Sequence, residues 1–216
     1  MKKIILLLVG AILSTSLFAQ ITFGGQVGAN FGIGQTGGGL FPSPTNDPKI
    51  GFVIGALADL PIVEKISFRP EFNFIQKGNQ YGYSTNLGAT INKTKNTLNY
   101  LELPLNVVYK MAVGKSSNKL YFGLGPAIGI GIIGNAKTGS NKSDIKFNGN
   151  PDQLKRLDVG LNLLAGYQFD MGLFGKIGYT HGFSNIDPDK LRDESFRNRG
   201  VSLCVGFMIG SGGIKK

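Results

Sequence analysis

Thr97-Leu-Asn-Tyr-Leu-Glu-Leu-Pro-Leu-Asn-Val-Val-Tyr-Lys110 is the stretch whose reading decides the fold. From Leu101 to Tyr109 the odd positions are apolar: Leu101, Leu103, Leu105, Val107 and Tyr109. The even positions run Glu102, Pro104, Asn106 and Val108. A period of two marks a strand with two different faces. One face carries no charge, and the other holds a carboxylate and an amide. In a soluble, half-buried strand the apolar face turns to the core. In a transmembrane barrel it turns to lipid, and the polar face looks into the lumen.

Seven more segments repeat the pattern. Residues 21–34 set Phe23, Val27, Ala29, Phe31 and Ile33 against Thr22, Gln26 and Asn30. Residues 49–60 set Ile50, Phe52 and Ile54 against Gly51, Val53 and Asp59. In residues 66–77, Phe68, Phe72 and Phe74 oppose Arg69, Glu71, Asn73 and Lys77. Pro70 removes a ladder donor there, so a bulge or a broken pairing is expected. Residues 120–132, 157–169, 173–183 and 199–210 complete the set, with Asp158, Lys176 and Cys204 on the second faces.

Eight segments make an even number, and their connections alternate long and short. The long ones are 35–48, 78–96, 133–156 and 184–198. Outer-membrane barrels have short periplasmic turns and longer extracellular loops, and a soluble sandwich has no reason to keep that asymmetry. Each segment has about the 9–11 residues a tilted strand needs to cross a bilayer. Aromatics on the apolar faces fall near the two ends of the segments. Phe23, Phe68, Tyr109, Phe122, Tyr167, Phe169 and Phe207 form one band, and Phe31, Phe52, Phe74, Tyr179 and Phe183 the other, as interfacial rings prefer.

The chain begins Met-Lys-Lys and continues into an apolar run over residues 4–13, then a small residue at Ala19. That is the pattern of an export signal cut after Ala19, and the run falls short of the roughly 20 residues of a membrane helix. The expected organisation is a signal peptide over 1–19, a barrel over 20–210 and a short tail over 211–216. Without Lys2 and Lys3, 21 basic residues face 13 acidic ones, a net charge of +8. Glycine supplies 33 of 216 residues, about twice the usual share of ~7%, which suits barrel bends and close strand packing. The lone Cys204 excludes an internal disulfide. The fold class is therefore all-β: an eight-stranded antiparallel up-and-down transmembrane β-barrel of the outer membrane.

Several motifs support that reading together. Tyr100-Leu-Glu-Leu-Pro-Leu resembles the Tyr-Leu-Glu-Ile-Pro-Leu signature of the PorT-like outer-membrane β-barrel family. Phe68-Arg-Pro-Glu-Phe with Gln76-Lys-Gly, Gly123-Leu-Gly-Pro, and Tyr179-Thr-His-Gly-Phe-Ser-Asn-Ile follow the same family in order. The resemblance covers essentially the whole chain after the signal. It implies an eight-stranded outer-membrane barrel, a namesake in protein secretion and surface maturation, and no catalytic motif to carry over.

Two groups of residues are candidates for a role. Arg69, Glu71, Glu102, Asp158 and Lys176 fall on the inward faces, joined by Asp59. A regular hairpin between segments three and four lets Arg69 reach Glu102 diagonally. Buried ions must be paired, so the expected role is structural. A proton or ion path, or a two-carboxylate hydrolase, is the functional alternative. Lys93, Lys95, Lys137, Lys142, Lys146, Lys155 and Arg156 form an outer-loop basic patch suited to phosphate-rich lipid and lipopolysaccharide.

Enzyme readings have little to work with. His181 is the only histidine, which leaves a Ser-His-Asp triad one candidate base and rules out a multi-histidine metal site. No cofactor and no nucleic-acid platform is expected. The function read from the sequence is a non-enzymatic barrel with a structural, surface-binding or adhesion, or secretion-accessory role, with envelope or secretion proteins as partners. The alternative is a soluble lipocalin-like barrel holding an apolar ligand, with Glu102 and Asp158 turned to water.

Overall fold

The computed structural model describes residues 21–37, 45–82, 93–114, 116–148, 153–187 and 195–210. The expected signal peptide (1–19) and tail (211–216) lie outside the described residues. Among the described residues nine strands form: β1 (Thr22–Gly37), β2 (Thr45–Val63), β3 (Ile66–Gly82), β4 (Thr94–Ala112), β5 (Lys119–Thr138), β6 (Asn141–Ile145), β7 (Leu157–Gln168), β8 (Leu173–Gly182) and β9 (Ser195–Ile209). Neighbours pair antiparallel, β4 also pairs with β5, and β1 pairs with β9 from Phe23↔Ile209 to Gly37↔Ser195. The wall is thus a closed ring of eight strands. β6 stands outside it as a short strand against the far end of β5. Among the described residues no helix is long and apolar enough to cross a membrane; strands do the crossing.

The molecule is inside out. Phe23, Val205 and Ile209 are 60%, 59% and 69% exposed, while Arg69 and Glu102 are 1% and 3% exposed. Leu103 and Ile128 look outward, and Asp158 is buried. A soluble lipocalin-like barrel requires the opposite, so that alternative fails on burial. Phe23, Tyr109, Phe122, Phe169 and Phe207 stand exposed at the end carrying the short turns, and Phe52 and Phe183 toward the other.

The short connections are tight. Glu64 and Lys65 turn β2 into β3. Phe169 N donates to Leu173 O at 2.8 Å across the β7–β8 turn, where Gly172 adopts φ +97°, a conformation few other residues tolerate. At the closing seam, a Cβ on Gly28 would strike Leu203 O and Cys204 Cα on β9, so glycine is what lets the first and last strands meet there.

The strands outrun the sequence reading, which placed loops at 35–48, 78–96, 133–156 and 184–198. All four ranges are entered by strands, and β5 reaches 20 residues. The reason is solvent. Beyond the apolar belt both faces of a hairpin meet water, so the ladder continues while the alternation of hydropathy stops. Thr94 and Thr138 pair there and share a 2.8 Å hydroxyl bond. Around Pro70 the ladder is interrupted rather than bulged. Leu57↔Glu71 and Leu60↔Phe68 flank the gap in one unbroken register.

Placing a charge on the outward face at mid-belt tests the orientation. Val205→Arg is expected to cost roughly 2–4 kcal/mol in denaturant unfolding from phospholipid vesicles, followed by circular dichroism. An unchanged midpoint would mean that this face does not meet lipid.

Candidate functional site

Strand parity delivers the inward residues to three stacked clusters. At the short-turn end Asp59 on β2 accepts from Arg69 Nε (2.8 Å) and Nη2 and from Lys110 Nζ (2.5 Å). The guanidinium lies 4.5 Å from the centroid of the Tyr121 ring, a favourable cation–π placement.

Mid-lumen, Glu71 receives Lys176 Nζ on both oxygens at 2.8 and 2.7 Å, with Gln26 Nε2 at 2.8 Å and Asn73 Nδ2 at 3.1 Å. Asn162 Nδ2 donates to Asn106 Oδ1 at 2.9 Å, which carries the network past β5 from β7 to β4.

Toward the long-connection end, Lys77 pairs with Glu102 and, at 3.2 Å, with Asp158. Its ammonium sits 5.1 Å from the Tyr100 ring centroid. Asn198 Nδ2 donates to Asp158 at 2.9 Å.

Four carboxylates thus meet four bases, Arg69, Lys77, Lys110 and Lys176. Between the middle and upper clusters lies a void of about 20 Å³, walled in part by Glu71, Glu102, Asn162 and Lys176, the size of a single water. An apolar cluster runs from that void toward the long connections: Phe147 and Ile186, from the connections, pack with Leu98, Tyr100 and Val53. Phe147 meets Tyr100 edge-on at 5.5 Å.

The expected diagonal from Arg69 to Glu102 does not form. Arg69 lies opposite Asn106, and Glu102 opposite Asn73, so the two sit four residues apart along β4. Arg69 turns instead to Asp59 on β2, and Glu102 takes Lys77. Lys77 and Lys110 share the inward parity of Arg69 and Glu102, a signal in the sequence that gives their placement but not their partners. Gln26, Asn73, Asn106 and Asn162 were legible only as polar faces. Cys204 is buried and unpaired. His181 faces outward, its Nδ1 3.0 Å from the Tyr179 hydroxyl and its ring between Tyr179 and Phe183. Among the described residues no group of metal-binding side chains gathers.

The basic residues of the long-connection end divide into two sets. Lys93 pairs with Asp47 at 3.0 Å. Lys95 lies opposite Lys137, and Lys137 opposite Lys142, so β4, β5 and β6 present three exposed lysines in a row. Lys146 stands exposed just beyond β6. Lys155 and Arg156 instead border a cleft beside Phe147, Leu157, Ser184 and Asn185.

Removing one base from the upper cluster isolates two buried carboxylates. Lys77→Met is expected to cost about 3–5 kcal/mol in vesicle unfolding, and adding Glu102→Gln and Asp158→Asn should restore most of it. If Lys77→Met alone is silent, the cluster is not held by charge.

No curated protein matches the sequence. Among solved structures, OprG of Pseudomonas aeruginosa aligns with a TM-score of 0.50 at 11% identity, over 88% of this chain and 95% of that one. Neisserial surface protein A aligns at 0.46 and 14% identity, over 86% and 96%. Ail, the attachment invasion locus protein of Yersinia pestis, aligns at 0.42 and 14%, over 87% and 98%. At such identities the likeness to OprG is one of fold. The model of the outer membrane protein beta-barrel domain matches residues 14–187, most of the chain. The chain belongs to that family, and its place is the outer membrane.

Proposed function

We propose that this barrel is a non-catalytic surface-binding protein of the outer membrane, acting through its extended outer end while its lumen stays shut. The observation that carries this reading is the row Lys95–Lys137–Lys142 across β4, β5 and β6. Like charges directly opposite one another destabilise a sheet, and strands lie only about 4.8 Å apart. A sheet that keeps three lysines abreast outside the apolar belt gives up stability for a strongly positive face. Such a face suits an anionic partner, the phosphate-rich surface of lipopolysaccharide or an acidic envelope protein. The short-turn end, by the rule for these barrels, faces the periplasm, which puts the lysine row outside the cell.

The lumen supports the same division of labour. An eight-stranded ring is just wide enough for side chains to fill it, and here ion pairs and an apolar cluster that includes Phe147 and Ile186 fill it together. That packing favours structural pairing over an ion path. The single histidine, stacked among outward aromatics, gives no base to a nucleophile. The PorT-like motifs, Tyr100-Leu-Glu-Leu-Pro-Leu foremost, support a finer placement in that group, with secretion or surface maturation as the setting.

Two measurements check this. In planar bilayers the protein is expected to give no conductance steps, and regular steps would contradict the closed lumen. Embedded in phosphatidylcholine nanodiscs, it is expected to co-sediment with vesicles containing phosphatidylglycerol at low ionic strength. The triple variant Lys95→Gln, Lys137→Gln and Lys142→Gln should lose that binding; if the variant binds as well as the parent, the row has no such role.

A further inference from the structure

The cleft at the outer rim is separate from the lysine row and differently built. It opens over about 700 Å³, within the range of small-molecule sites. One wall is the chain at Phe147 and Asn148, just past β6; the second is Lys155, Arg156 and Leu157, entering β7; the third is Ser184 and Asn185, leaving β8. Backbone bonds fix these walls to the barrel. Lys155 N donates to Ile186 O at 2.8 Å, Gly131 N to Arg156 O at 2.7 Å, and Phe183 N to Val159 O at 2.9 Å.

Both cationic side chains are held by neutral oxygens. Lys155 Nζ donates to Asn185 O at 3.2 Å. Arg156 Nε donates to Phe147 O at 3.2 Å, and Nη2 to Asn148 Oδ1 at 3.3 Å. The ion pairs found among the described residues include neither of them. Among the described residues no carboxylate pairs with either head, so two positive groups share one cleft, and donor capacity remains on each. Immediately below, Leu157 is 55% exposed, opposite Ile130 on the outward face. The cleft thus passes without a break from cationic to apolar, in the direction of the membrane.

We infer that this cleft binds the phosphate-bearing headgroup of an outer-leaflet lipid, with Lys155 and Arg156 on the phosphate and an acyl chain running down past Leu157. A free anion would use the charges and leave the apolar wall idle. A zwitterionic lipid would use the wall and bring a second positive charge against Arg156. Only a net-anionic amphiphile meets both halves of the site. The inference deepens the surface-binding reading, but it rests on different residues, so the two can fail separately.

The test is calorimetric titration of the full barrel in a neutral maltoside detergent. The probes are dihexanoyl phosphatidic acid, dihexanoyl phosphatidylcholine and inorganic phosphate, each kept as monomer. Phosphatidic acid is expected to bind, the other two far more weakly. Lys155→Ala with Arg156→Ala should weaken phosphatidic acid by about tenfold or more, the scale of one lost charge-assisted hydrogen bond. Lys65→Ala with Lys119→Ala removes the same net charge at the short-turn end, where both side chains are exposed, and should leave the affinity as it was. Heat-modifiable gel mobility verifies that each variant is folded, and Arg156→Lys with Lys155 intact serves in place of any that is not, with a smaller weakening expected. Equal affinity in the cleft variant, an equal loss in the short-turn variant, or inorganic phosphate binding as tightly as the lipid would each overturn the inference.

Discussion

A backbone amide inside hydrocarbon has no water to bond with, so a sheet that crosses a membrane must close on itself. The seam between β1 and β9 is where that constraint is met, over fifteen consecutive residue pairs. Closure at eight strands then fixes everything inside. The ring is narrow, glycines such as Gly28 let its strands approach, and what remains must be filled by side chains. Those side chains inherit their positions from strand parity alone. Each residue that faces lipid commits its two neighbours to the lumen.

The lumen therefore carries polar groups whose ions have no bulk water to retreat to, and carboxylates there are paired, while the buried Lys49 ammonium donates to Gln76 Oε1 at 3.0 Å. Glu71 shows how complete the arrangement is: one ammonium and two amides serve its carboxylate within 3.1 Å. Toward the long connections Phe147 and Ile186 add apolar packing to these pairs. At the outer end the strands continue as hairpins that carry the exposed lysines of β4, β5 and β6.

Much of this was legible in the sequence for a physical reason. Lipid on one side and a polar lumen on the other impose a strict period of two, so Leu101 to Tyr109 declares both faces, and the alternation of short and long connections declares the topology. Legibility ended where that contrast ended. In the outer hairpin both faces meet water, and strand residues such as Lys137 and Lys142 read as loop. Partners across the ring were also hidden. Lys176 meets Glu71 across 105 residues of sequence, a match set by the stagger of the closed barrel, which no single hairpin encodes. Arg69 illustrates the nearer failure: its parity was plain, but a register assumed for one hairpin sent it to Glu102 when the neighbouring β2 held Asp59.

The outward orientation of the apolar faces is the claim beneath all the others, and the absence of tryptophan from the chain makes it directly measurable. A single tryptophan introduced as Leu124→Trp, in vesicles whose acyl chains carry bromine, reports contact with lipid by quenching. Strong quenching at Leu124→Trp, and none at Lys137→Trp in the outer hairpin, is the predicted result. An unquenched, water-like emission at Leu124→Trp would contradict the transmembrane barrel itself.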